Sequence, residues 1–179
     1  MKPGRPPCGG RPLKLPKLLK LLKLLKLLKL LMKASSRAIS LIKSFEGLRL
    51  TAYRCPAGRL TIGYGHTSNV HEGMAVTEAQ AEKLLMQDIY FAELAVDMLG
   101  KLTQNQYNAL VSFVFNVGNR AFSSSRLRRY VLADPDDPAI RQEFLRWIHI
   151  TVKGKKQISQ GLQNRRNAEA NLYFKTEIS

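Results

Sequence analysis

Residues 34–179 predict an α+β fold, with a small β-hairpin lobe followed by a mainly helical lobe. Three observations carry that class. Two short β-type runs, "LRLTAYRC" and "RLTIGYGH", flank Pro56-Ala57-Gly58, which is a hairpin signal. Thr77-Glu78-Ala79-Gln80 and Thr103-Gln104-Asn105-Gln106 both have the capping-box form that opens a helix. The run "YNALVSFVFNVG" is apolar nearly all round, as a buried central helix is.

Each element follows in order. From Ala34 to Phe45, Ile39, Ile42 and Phe45 fall at helical spacing, and Gly47 is a natural stop. Glu46 therefore sits in the last turn. There the negative end of the helix dipole disfavours its ionised form and suits a proton donor. The glycines of "IGYGH" suggest a backbone that turns hard or approaches another group closely. The helix opened by Thr77 is expected to reach about Leu99, with Met86 and Met98 as core positions at helical spacing. Asp137-Pro138 places a cap before an N1 proline, predicting a helix through Trp147. A last helix begins near Gly161 and pairs Arg165 with Glu169 at i,i+4, so its double arginine reads as structural.

Charge divides the chain at about Lys33. The net charge is +16, and residues 1–33 carry ten Lys or Arg and no acid, leaving +6 on the body. Residues 17–33 hold ten Leu and six Lys in a regular triplet. Lys at every third position breaks the apolar run that a signal peptide requires. Spanning a membrane also fails, because each central Lys costs about 2.5–3.5 kcal/mol and each Leu returns about 0.5. Over any two turns, however, Lys and Leu separate well enough to lie in an anionic lipid interface. The expected arm, residues 1–33, is helical on lipid or disordered in water, and its repeat resembles synthetic cationic antimicrobial peptides. Nucleic acid is not an expected partner, since the arm lacks aromatic or Arg-rich readout groups. Cys8, set among Pro and Gly, and Cys55 make no disulfide framework.

The segment "FEGLRLTAYRCPAGRLTIGYGHT" resembles the catalytic segment of bacteriophage endolysins of the lysozyme type, glycoside hydrolase family 24. The resemblance continues through "QYNALVSFVFNVG" and "GLQNRRNAEANLY", over roughly residues 36–174. It implies a lysozyme-like fold with the cleft between the two lobes. It also implies cleavage of the β-1,4 bond between N-acetylmuramic acid and N-acetylglucosamine in peptidoglycan. The family's trio is a Glu, an Asp after eight intervening residues, and a Thr after five more. Glu46, Cys55 and Thr61 match that spacing, with cysteine at the aspartate position.

Glycoside hydrolysis needs an acid for the leaving oxygen and a group that manages water on the opposite face. Glu46 is the candidate acid, and Thr61 can hydrogen-bond and orient a water. Cys55 can act as thiolate base, as nucleophile, or only as water positioner, and Arg54 and Arg59 are close enough in sequence to lower its pKa. The resemblance suggests an inverting outcome. Tyr64 and His66 on the hairpin, with Phe115 and Asn116 at the end of the central helix, are the candidate substrate contacts. His66 can equally hold the hairpin by a hydrogen bond to a carboxylate. His66, His71 and His149 form no metal-ligand pattern, and this chemistry calls for neither metal nor cofactor.

Two other functions compete: a cysteine amidase using Cys55, His66 and Asn69, and a membrane-disrupting peptide on an idle body. Expected partners are peptidoglycan and, through the arm, anionic lipid or lipopolysaccharide, with the chain acting as a monomer. A native phage enzyme of this kind waits in the host cytoplasm and acts on the cell wall. An engineered fusion is added from outside.

Overall fold

The computed structural model describes residues 32–176, apart from Pro56 and Lys153. Expectations for the arm up to residue 31 lie outside those residues. Met32 packs on the core, and Lys33 Nζ meets Glu93 Oε2 at 2.9 Å, so the last two residues assigned to the arm belong physically to the body.

Helix α1, Ser36–Glu46, begins where the Ser35 hydroxyl accepts from the Arg37 backbone N–H. The side chain of Asn108 clasps Ser35, accepting from its backbone N–H at 3.0 Å and donating to its hydroxyl at 2.8 Å. Gly47 ends the helix with its N–H bonded to Lys43 O, leaving Glu46 in the final turn. Strands β1, Arg49–Arg54, and β2, Leu60–Gly63, form the antiparallel hairpin. β2 then reverses at once. Ile62 and His66 exchange two 2.9 Å backbone hydrogen bonds around Gly63-Tyr64-Gly65. Gly63 and Gly65 take φ of +64° and +95°, which L side chains rarely adopt.

Both capping boxes form as predicted. They open α2, Glu78–Val96, which continues as a 3₁₀ turn to Leu99, and α3, Gln104–Val117. α3 is the core helix, buried without a break from Asn105 to Val114. Short helices α4, Asn119–Ser123, α5, Arg126–Ala133, and α6, Ile140–Leu145, wrap it. Phe113 of α3 meets Phe122, Phe144 and Trp147 edge-on, with centroids 5.3–6.2 Å apart. Strands β3, His149–Val152, and β4, Lys155–Ile158, form a second antiparallel hairpin, and α7, Gln160–Tyr173, packs back on α3. The class is α+β as expected.

Three expectations are corrected. Met86 and Met98 are not core; they are 47% and 72% exposed, because α2 carries apolar side chains on its outer face as well as its inner one. The helix after Asp137 does not reach Trp147. It stops at Leu145, and the β-branched run Ile148–Val152 leads into the second hairpin, a strand signal outweighed by the helical pattern around it. Gly154, at φ +78°, sits in the turn of that hairpin.

Candidate active site

Glu46 lies in a cleft of about 380 Å³ between the hairpin lobe and the helices. Gly65 of the hairpin faces it from one side, and Phe115 and Asn116 at the end of α3 from another. A Cβ on Gly65 would lie 3.5 Å from Glu46 Oε2, so the backbone approach foreseen for the "IGYGH" glycines is made onto the carboxylate. The side chain of Glu46 is 22% exposed, and its Oε1 accepts from Arg165 Nη1 at 2.5 Å. With Oε1 held, Oε2 is the oxygen left on the Gly65 side.

Arg165 is structural, as its i,i+4 pairing with Glu169 predicts, and it reaches the cleft as well. It belongs to a buried network on α7. Arg165 Nε donates to Glu169 Oε1 at 3.1 Å and Nη2 to Ser112 O at 3.3 Å, while the Ser112 hydroxyl donates to Glu169 Oε1 at 2.8 Å. Arg166 Nη1 lies 2.9 Å from Glu169 Oε2 but out of hydrogen-bonding line, so charge rather than a hydrogen bond holds that contact. Arg166 Nη2 donates to Asn116 Oδ1, and the guanidinium stacks 4.7 Å from the Phe113 ring centroid. Burial pushes the Glu169 carboxyl above the usual carboxylate range, against the pull of Arg166, Arg165 and Ser112. Burial likewise takes the Arg166 guanidinium down to about 10, against the upward pull of Glu169. The double arginine thus ties down two cleft side chains, Glu46 through Arg165 and Asn116 through Arg166.

Cys55 closes the turn between β1 and β2. Its N–H bonds Arg59 O at 2.9 Å, and its carbonyl accepts from Gly58 N at 2.7 Å. The thiol is free and half-buried. Desolvation pushes its pKa up, but the Ala57 and Arg59 backbone groups, the Thr61 hydroxyl and the Arg59 charge together bring it below the ordinary thiol value. Arg54, also near Cys55 in sequence, is engaged elsewhere: it pairs with Glu72 and donates to Gly58 O at 3.2 Å. Thr61 is buried, and its hydroxyl donates to Arg59 O at 3.1 Å. It therefore braces the turn that carries Cys55.

The four expected substrate contacts separate by position. Phe115 and Asn116 line the cleft. His66 is buried, with Nδ1 at 3.0 and 2.9 Å from the two carboxylate oxygens of Asp88 on α2, so it fastens the hairpin to the helices. Tyr64 packs against the core beneath Lys43, whose Nζ lies 5.2 Å from the ring centroid. Sequence reasoning missed Arg165 as a cleft group, and no local signal joins it to a partner 119 residues away. Among the described residues, no three His, Cys, Asp or Glu side chains converge as metal ligands.

The phage lysozyme family model matches residues 43–169. The endolysin of Acyrthosiphon pisum secondary endosymbiont phage 1 is 44% identical over 144 residues, covering 79% of this chain and 98% of its own. The endolysin of Bacillus phage B103 is 43% identical over 82% of this chain, which spans 56% of that relative's length. Among solved structures, the muramidase domain of SpmX from Asticaccaulis excentricus matches with a TM-score of 0.75. It is 39% identical, over 80% of this chain and 99% of its own. The endolysin of Escherichia coli O157:H7 phage FAHEc1 matches at 0.70 and 38% identity, over 80% and 94%.

Proposed function

The chain belongs to the phage lysozyme family, and on that premise we infer that it hydrolyses the β-1,4 bond between N-acetylmuramic acid and N-acetylglucosamine, with Glu46 as general acid. Peptidoglycan is the substrate of this family and muramidase-type hydrolysis its reaction. The observation that carries the finer reading is the setting of Glu46: a helix-end carboxyl in the cleft, one oxygen held by Arg165 and the other beside Gly65.

In this reading Oε2 of the protonated acid delivers its proton to the glycosidic oxygen as the C1–O bond breaks. A water adds to C1, and its proton passes to the Cys55 thiolate. Thr61 acts through Cys55, holding the turn that positions the thiol. Because the Cys55 pKa is lowered, the thiolate fraction grows from below the ordinary thiol value of about 8.5. Activity on purified wall should therefore depend on the thiolate and be lost when the thiol is modified. In a Cys8→Ser background, alkylation should abolish it. Alkylation-resistant turnover removes Cys55 from the mechanism.

The arm supplies access in this reading. Its lysines and leucines bind anionic lipid or lipopolysaccharide and bring the enzyme to a Gram-negative wall from outside. One experiment tests both parts. The full chain and a chain lacking residues 1–31 are given purified, delipidated peptidoglycan, and the products are weighed by mass spectrometry. Both should yield reducing muramic-acid ends at equal rates, with only the full chain lysing intact Gram-negative cells efficiently. Stem peptides released from intact glycan would refute the glycosidase. Equal lysis of whole cells would refute the arm's role.

A further inference from the structure

α2 presents an outer face that the fold does not use. Met86, Tyr90, Phe91, Leu94 and Met98 are all exposed, at positions opposite the buried Leu85, Ile89, Ala92 and Val96. Five large apolar side chains on one solvent-facing stripe are a standing cost in water, and such patches mark binding grooves.

Phe91 gives this stripe its meaning. It is 59% exposed, lies outside the core, and lines the same cleft as Glu46. It also lines a second depression of about 430 Å³, made with Met86, Gln87 and Tyr90. Phe91 therefore borders both the cleft and an apolar shelf along α2. The backbone at this point is fixed, because Asn119 Nδ2 donates to Phe91 O at 2.9 Å. The ring is supported edge-on by Tyr90, with centroids 5.8 Å apart. Aromatic rings combined with a few amide and hydroxyl groups suit a pyranose, whose C–H faces are apolar and whose edges carry hydroxyls and acetamides. Gln87 and Tyr90 on the shelf, with Asn116 in the cleft, supply the polar groups.

We propose that this shelf is a saccharide-binding subsite: the glycan strand cleaved at Glu46 continues across Phe91 onto Met86, Gln87 and Tyr90. The inference rests on the glycosidase reading above. A polymeric substrate gains affinity from sugars bound away from the reacting bond, and that gain appears in KM when it is equal in ground and transition states.

The test is steady-state kinetics of the full chain on solubilised glycan strands fractionated by length. Phe91→Ala should raise KM on long strands by about tenfold, with kcat within about twofold. The effect should vanish on strands too short to reach the shelf, Phe91→Trp should restore KM, and the thermal midpoint should not move. Unchanged KM on long strands overturns the inference, as does loss of kcat alone. Unchanged KM with weaker adsorption to phosphatidylglycerol vesicles reassigns the shelf to lipid and overturns it too. If the unmodified chain releases no reducing ends, the glycosidase reading falls first; if it does, only the subsite is at stake.

Discussion

Glu46→Gln is expected to reduce glycan cleavage by about 10²–10⁴-fold while leaving the protein folded. The substitution is close to isosteric, and the amide oxygen can still accept from Arg165 Nη1. What it removes is the proton. Without it the departing sugar oxygen leaves as an alkoxide, and no other acidic side chain named in the cleft can replace Glu46, because Asp88 is committed to His66. The fall should appear in kcat, since the proton is needed only as the bond breaks. Circular dichroism and the thermal midpoint check the fold, and reducing-end release checks the chemistry. Near-normal turnover would end the assignment of Glu46. The same variant separates enzyme from peptide: if it kills whole cells as well as the parent does, the arm alone is bactericidal and the body is idle.

Glu169→Ala carries the largest expected effect on stability. Glu169 is fully buried, accepts from Arg165 and is the countercharge facing Arg166, both themselves buried. Removing one member of a buried ionic cluster leaves the others uncompensated, at a cost of about 3–5 kcal/mol. Against a total of about 5–15 kcal/mol for a domain, that is a large share. It corresponds to a thermal midpoint lower by on the order of 10 °C for a chain of this size. Glu169→Gln, which keeps the shape and can still accept from Ser112, should lose less. Thermal denaturation of the three proteins ranks them. Equal midpoints would show that the arginines do not depend on Glu169. Activity of the folded fraction should fall as well, since the same arginines hold Glu46 and Asn116.

How much of this could be read beforehand depended on the range of the interaction. The caps at Thr77 and Thr103 and the stop at Gly47 involve groups within four residues, and all three were legible. So was a hard turn or a close approach at "IGYGH", because positive φ such as the +95° of Gly65 favours glycine, though not that the approach is made to Glu46. Arg165 was legible only as half of an i,i+4 pair; its reach to Glu46 exists only after α7 has packed on α3. Met86 and Met98 misled because helical spacing identifies an apolar stripe without saying which stripe faces the core. α2 has two. His66 and Thr61 had the right neighbours in sequence, but burial decides their work, and burial is a property of the assembled fold.

The dependence of Glu46 on Arg165 also bears on when activity can begin. The ribosome makes Glu46 early and Arg165 well over a hundred residues later, with Glu169 later still. Until α7 is made, Glu46 has no guanidinium beside it and Asn116 has no anchor. The site is completed only when α7 has cleared the exit tunnel and docked. If Glu46 is the acid, a muramidase is thereby kept from working as a fragment. Partial chains that end before α7, as stalled or prematurely terminated translation would leave them, are then expected to leave purified wall uncut.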